Sequence, residues 1–147
     1  QLMANSAKKA GIDIEVVREP NDGYWSNVWN NDAKGWCACY WGGRPAETMM
    51  FSAAYVAESK WNDTMWKTTD SAVKFNQLVK DARKELDESK KRDILYECQR
   101  LIYDDGGLLC PLFNSYVSAN SKKIAHGKIA ANWDSDGAKC VERWWFA

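Results

Sequence analysis

Trp36-Cys37-Ala38-Cys39-Tyr40-Trp41-Gly42-Gly43-Arg44-Pro45 is the stretch on which the reading of the fold turns. Its first six residues are aromatic, small or apolar, which suits a strand, and the glycine pair ends it. Upstream, Ile12-Asp13-Ile14-Glu15-Val16-Val17 alternates and then runs apolar, a second strand signal that Pro20 closes. Between the two, Asn21 or Asp22 can cap a short helix whose Tyr24, Trp25, Val28 and Trp29 make one stripe, broken by Asn30-Asn31-Asp32. Downstream, Pro45 can occupy the first turn of a helix over residues 46–54. At the start of the chain, Leu2, Met3, Ala7 and Ala10 fall near helical spacing, with Gly11 suited to the left-handed position past a helix end. Helix, strand, helix, strand is the rhythm of a parallel α/β unit with a right-handed crossover. The expected fold class is therefore α/β, a mixed sheet flanked by helices.

The rest of the chain supplies the covering helices. Residues 55–69 lack periodicity and read as a polar loop that nonetheless holds Trp61 and Trp66. Val73, Phe75, Leu78, Val79, Ala82 and Leu86 trace the apolar stripe of one long helix, with Lys80, Asp81, Lys84 and Glu85 on its solvated side. Asp87 or Ser89 can cap a second helix with Ile94, Leu95, Cys98, Leu101 and Ile102 as its stripe, stopped by Gly106-Gly107. Leu108 to Phe113 reads as a strand kinked at Pro111, which Tyr116 to Ala119 can continue. The tail from Ser121 is turn-rich until Arg143-Trp144-Trp145-Phe146-Ala147, a last strand.

Composition excludes several classes. Among 147 residues, 20 Lys+Arg balance 20 Asp+Glu, which argues against a basic nucleic-acid footprint or an electrostatic membrane anchor. Apolar residues make up 46% and charged residues 27%, an ordinary globular mix that excludes disorder. Apolar runs fall far short of the ~20 residues that span a bilayer. The unusual count is 9 Trp, more than a core of this size requires, and Trp suits surfaces where an apolar body needs a polar tip. The absence of an initiator Met and the helical opening suggest a piece of a longer chain, so that a missing signal peptide says nothing of the parent's address.

Catalytic signals are weak. Cys37, Cys39, Cys98, Cys110 and Cys140 are odd in number, and Cys37 and Cys39 would share one strand face. A CxC pair makes a poor disulfide, and no further ligands complete a zinc site, so the cysteines read as small hydrophobes and no metal or other cofactor is called for. The single histidine, His126, sits between turn signals and reads as a surface residue with no nucleophile beside it. No phosphate-binding glycine motif occurs. The strand end Tyr40-Trp41-Gly42-Gly43-Arg44 is more informative. Ligands of open α/β sheets bind beyond the carboxyl ends of strands, where Trp41 could form a stacking wall, Arg44 an anion partner, and the glycines a bare backbone edge. On the residues alone, Trp41 as a cap on the core and Arg44 as a solvated cation remain equally open.

Taken together, Ala7 to Ile14, Trp36 to Met50, Trp61-Asn62-Asp63, the helix pair from Phe75 to Asp105, Pro111-Leu112-Phe113 and Trp144-Trp145-Phe146-Ala147 resemble the C-terminal part of a family 5 extracellular solute-binding protein of an ABC importer, the dipeptide- and oligopeptide-binding class. The resemblance runs along essentially the whole chain and rests on the order and spacing of its pieces. It implies a C-terminal lobe fragment of a two-lobed periplasmic-binding-protein fold. Residues 1–113 would be part of the second lobe, and residues 114–147 the hinge return and a segment of the first lobe, with residues 114–121 near the lobe boundary. It further implies a periplasmic substrate-binding subunit that is no enzyme, closes on a peptide-like solute and delivers it to a membrane permease, with neither nucleic acid nor direct membrane insertion. The implied ligand-binding residues are Tyr40, Trp41, Gly42, Gly43, Arg44, Trp61 and Asn62. Classical peptide binders carry an aspartate after the matching aromatic to pair with the peptide's amino group. Here Gly42-Gly43-Arg44 stands in that loop, which favours an anionic group on the ligand instead. Two other classes remain open: a thiol- or metal-dependent enzyme using Cys37 or Cys39, and an interaction domain that docks through its Trp surface.

Overall fold

The computed structural model describes residues 1–31 and 35–147, so Asp32 of the expected helix break lies outside the described residues. The chain divides into two compact units, Gln1–Ala38 and Cys39–Ala147.

In the first unit, α1 spans Leu2–Lys9 and buries Ala4, with Lys8 and Lys9 in the last turn where the helix dipole favours cations. The chain leaves α1 through Gly11 at φ +78°, as its position past the helix end predicts; Gly11 N–H donates to Lys8 O at 3.1 Å and Ile12 N–H to Ala7 O at 3.0 Å. Helix α2, Tyr24–Asn27, forms where the short aromatic helix is expected but ends before Val28 and Trp29, and neither Asn21 nor Asp22 caps it. Gly23, at φ 79°, takes the N-cap position with no side-chain bond. The rings of Trp25 and Trp29 meet edge-on at 5.6 Å, and Tyr24 Oη donates to Ala38 O at 2.7 Å.

The second unit holds the main core. Helix α3 spans Glu47–Ala54 from an N-cap at Ala46, so Pro45 lies just outside the helix, not in its first turn. Helices α4, Asp70–Lys84, and α5, Glu88–Asp105, form a hairpin across a three-residue connection. Each is capped by a side chain: Thr69 accepts from Ala72 N–H at 3.2 Å, and Asp87 accepts from Ser89 and Lys90 N–H at 2.9 and 3.0 Å. The hairpin is tied at its open end by Asp105, which accepts from Trp66 Nε1 and Thr69 Oγ1, both at 2.9 Å, and from Ser71 Oγ. Those bonds, that from Ser71 first, hold the Asp105 carboxyl below the usual carboxylate range. Midway, Glu97 accepts from Lys74 on α4 and from Arg100 on its own helix.

The buried face of α4 is Ala72, Phe75, Val79 and Ala82; the first three pack with Cys98, Leu101 and Ile102 of α5, with Phe51 of α3, and with Tyr55, Val56 and Trp66 of the following loop. Phe75 is fully buried, its ring 5.5 Å from Phe51 and 5.2 Å from Trp66. Two members of the expected stripe face water: Val73 is 60% exposed and Leu86 91%. Val73 stands about 100° around the helix from Ala72, whose small side chain allows the close approach, and Leu86 falls beyond the end of α4, where helical spacing no longer applies.

The β-structure is the principal correction. Among the described residues the sheet is one antiparallel pair, β1, Ile124–His126, with β2, Trp144–Phe146, in register Ile124↔Phe146, Ala125↔Trp145 and His126↔Trp144. The last expected strand is therefore present, while its partner forms in a stretch that reads as turns. The segments Ile12–Val17, Trp36–Trp41, Leu108–Phe113 and Tyr116–Ala119 form no strand. Alternation specifies two faces, but a strand also needs a neighbour aligned for ladder hydrogen bonds, and among the described residues no ladder forms at these segments. His126 is accordingly no loose surface residue: its ring lies 4.9 Å from that of Trp144 and Nδ1 is 2.8 Å from Gly127 O. The architecture is mixed helix and small sheet, not a parallel α/β unit.

Between β1 and β2 lie α6, Asp134–Ala138, and α7, Cys140–Arg143. Within α6 the backbone turns left-handed at Ser135, Asp136, Gly137 and Ala138, with φ of 48°, 61°, 71° and 61°. Left-handed geometry costs a non-glycine residue roughly 1–2 kcal/mol. It is held by buried Asp136, which accepts from Ala130 N–H at 2.6 Å and Trp144 Nε1 at 3.0 Å and pairs with Arg143 Nη1 at 2.9 Å.

Candidate functional site

The candidate site is built around Arg44, three residues before the start of α3 and wholly inside the second unit. Arg44 Nη1 donates to Gly42 O at 2.7 Å and to Gly43 O at 3.2 Å. The side chain thus folds back on its own loop and fixes the guanidinium plane. The guanidinium carbon lies 5.9 Å from the Trp41 ring centroid and 5.7 Å from that of Trp133, within cation–π reach of both. Arg44 is half-buried and, among the described residues, forms no ion pair. A guanidinium fixed through one nitrogen keeps its Nε–H and Nη2–H as parallel donors along one edge, the edge that matches a carboxylate.

The glycines matter for approach. A Cβ on Gly42 would lie 3.0 Å from the Trp133 ring and 3.6 Å from Arg44 Nη1, and one on Gly43 would lie 3.3 Å from the Tyr116 hydroxyl. Trp133 and Tyr116 therefore stand directly against the glycine pair. The expected Trp41, Gly42, Gly43 and Arg44 are together in space, and two residues that the sequence reading does not nominate join them. Nothing local marks Trp133, one of nine tryptophans; only the folding of the tail against the loop brings it there.

The other nominated residues lie differently. Tyr40 is exposed. Trp61 is exposed, with Lys60 Nζ 4.6 Å from its ring centroid. Asn62 is 1% exposed and its amide is used internally: Nδ2 donates to the carbonyls of Tyr55, Val56 and Trp66 at 3.0–3.2 Å, and Oδ1 accepts from Trp66 N–H at 3.1 Å. That is the arrangement of a loop clasp.

Of the CxC cysteines, Cys39 Sγ lies 3.4 Å from Asp63 Oδ1 as donor to the carboxylate, and Cys37 is half-buried. Tyr55 is buried; burial first, then the charges of Asp63, Cys110 and Cys39, push its hydroxyl above the usual phenol range. Among the described residues no group of three or more His, Cys, Asp or Glu side chains could hold a metal ion, and no helix is long and apolar enough to cross a membrane. Comparison with protein-family models, with curated proteins and with solved structures finds no match in any of the three.

Proposed function

We propose that this chain is part of the substrate-binding subunit of an ABC-type importer, the C-terminal lobe portion of a two-lobed periplasmic-binding-protein fold. On this reading the protein works in the periplasm, captures a peptide or similar small solute bearing an anionic group, and hands it to a membrane permease. Residues 1–113 belong to the second lobe, and residues 114–147 return through the hinge to the first. The observation that carries the reading is Arg44, half-buried between two tryptophans and fixed by its own loop carbonyls. Aromatic walls around one oriented cation suit the capture of a small anionic solute, and a charge-assisted bond there contributes roughly 1.5–3 kcal/mol. The order and spacing of the sequence pieces that resemble the solute-binding family supply the rest.

The test is native mass spectrometry of the protein purified from its host after expression from its complete gene, with uptake measured in a gene deletion. The expected result is a small co-purifying solute whose uptake falls in the deletion strain, and whose affinity falls about tenfold to a hundredfold in Arg44→Ala. A protein that carries no solute, with uptake unchanged by the deletion, overturns the reading.

A further inference from the structure

Trp133 is the part of the Arg44 cluster that no sequence motif announces, and its placement carries more than a general aromatic wall. Three features converge on it. Its ring centroid is as close to the guanidinium as that of Trp41, 5.7 against 5.9 Å. It is packed so closely on Gly42 that a Cβ there would lie 3.0 Å from the ring, so that the ring would have to give by a few tenths of an ångström, while Arg44 Nη1 would lie in ordinary contact at 3.6 Å. The backbone at Gly42 does not have a positive φ, so the glycine matters there for the close approach of the ring and not for the turn. Meanwhile the bonds from Nη1 to Gly42 O and Gly43 O fix which edge of the guanidinium remains to meet a ligand.

We infer that Trp133 is a specificity-determining residue of the Arg44 site, and that the group accepted there is a carboxylate carried beside a flat apolar substituent, as in an N-acylated amino acid or the C-terminal residue of a peptide. The inference deepens the importer reading and rests on it for its biological setting. Two parallel N–H donors fit the two oxygens of a carboxylate in one plane. Inorganic phosphate can also meet the fork with two oxygens but has no flat apolar substituent to stack on the rings, and a neutral amide offers only one acceptor oxygen. The rings at Trp41 and Trp133 then supply stacking surface for the substituent next to the carboxylate. Gly42 acts as a positioning residue, since it lets Trp133 reach this distance.

The experiment uses the protein expressed from its complete gene and three probes: N-benzoylglycine, N-benzoylglycinamide and inorganic phosphate. Binding is followed by the indole N–H signals in NMR titrations, with the Trp133 signal assigned from Trp133→Phe. The expected result is that N-benzoylglycine shifts the Trp133 signal and binds at least about tenfold more tightly than its amide or phosphate. Trp133→Ala and Gly42→Ala should each weaken that binding about fivefold or more. Gly42→Ala should keep the melting temperature of the wild type, which separates loss of the site from loss of the fold. Trp133→Phe, which keeps a ring, should retain most of the affinity. The inference is overturned if acid and amide bind alike, if phosphate matches the acid, if N-benzoylglycine fails to bind, or if Gly42→Ala and Trp133→Ala bind like wild type. A solute that co-purifies and still binds both variants normally would sink this inference and leave the importer reading standing. Carboxylate binding that depends on Trp133, in a protein whose deletion leaves all uptake unchanged, would do the reverse.

Discussion

Asn62 and Trp66 grip each other by their backbone and amide groups: Trp66 N–H donates to Asn62 Oδ1 at 3.1 Å, and Asn62 Nδ2 donates back to Trp66 O at 3.0 Å. The reciprocal pair closes the irregular loop between α3 and α4 and delivers the Trp66 ring to the core beside Phe75. A loop that carries core residues must satisfy its own buried backbone groups, and one asparagine amide serves four of them here.

Asn62→Ala should therefore destabilise the fold by about 2–4 kcal/mol, since several buried backbone groups lose their partner at once. Asn62→Asp should cost more, because a carboxylate oxygen would face the carbonyls that the amide nitrogen now serves. Urea unfolding curves decide the matter, and a midpoint equal to that of the wild type would refute the clasp.

Phe75→Ala should be among the most damaging apolar truncations, at about 3–5 kcal/mol, since the ring is fully buried between Phe51 and Trp66. Leu86→Ala should lie within about 0.5 kcal/mol of wild type despite its place in the sequence stripe, because the side chain stands in water. The same denaturant series measures both. Equal losses would mean that Leu86 packs in solution.

Asp136 predicts an acid limb in the stability profile. The Ala130 N–H bond first, then the Trp144 indole and the charges of Arg143 and His126, hold its carboxyl below the usual range. A carboxylate whose folded pKa is depressed contributes stability that is fully present above its unfolded pKa of about 3.9 and is lost as pH falls through the folded value. Melting temperature should therefore decline below about pH 4, and Asp136→Asn should start lower at neutral pH and decline less steeply. Parallel slopes for variant and wild type would exclude Asp136 as a source of the acid sensitivity.

Cysteine labelling should separate Cys98 from Cys110. Cys98 is fully buried, and burial with the nearby Glu97 charge pushes its thiol up to about 11, whereas Cys110 is exposed. Iodoacetamide at neutral pH should modify Cys110 long before Cys98 in the native protein, and both readily in denaturant. Peptide mass spectrometry reads the order, and early modification of Cys98 would show that the α4–α5 hairpin opens.

By itself the sequence determined where α1, α3, α4 and α5 lie, though not α6 and α7, which form in a stretch that reads as turns. The stop at Gly11, the Asp87 cap and the apolar faces of α4 and α5 depend on residues within about four positions of one another, so local spacing states them. It also marked Trp41, Gly42, Gly43 and Arg44 as a unit, because they are neighbours in the chain. Tertiary structure alone decided the rest. Whether an alternating segment becomes a strand depends on a partner elsewhere, which is why Ile12–Val17 and Trp36–Trp41 stay unladdered while Ile124–His126, with no strand signal, pairs with Trp144–Phe146. The arrival of Trp133 against Gly42 is likewise a contact between distant stretches, and the inward turn of Asn62 depends on a loop that closes on itself without a regular period. Their residue types permit many environments, and only the contacts made in the folded chain select one.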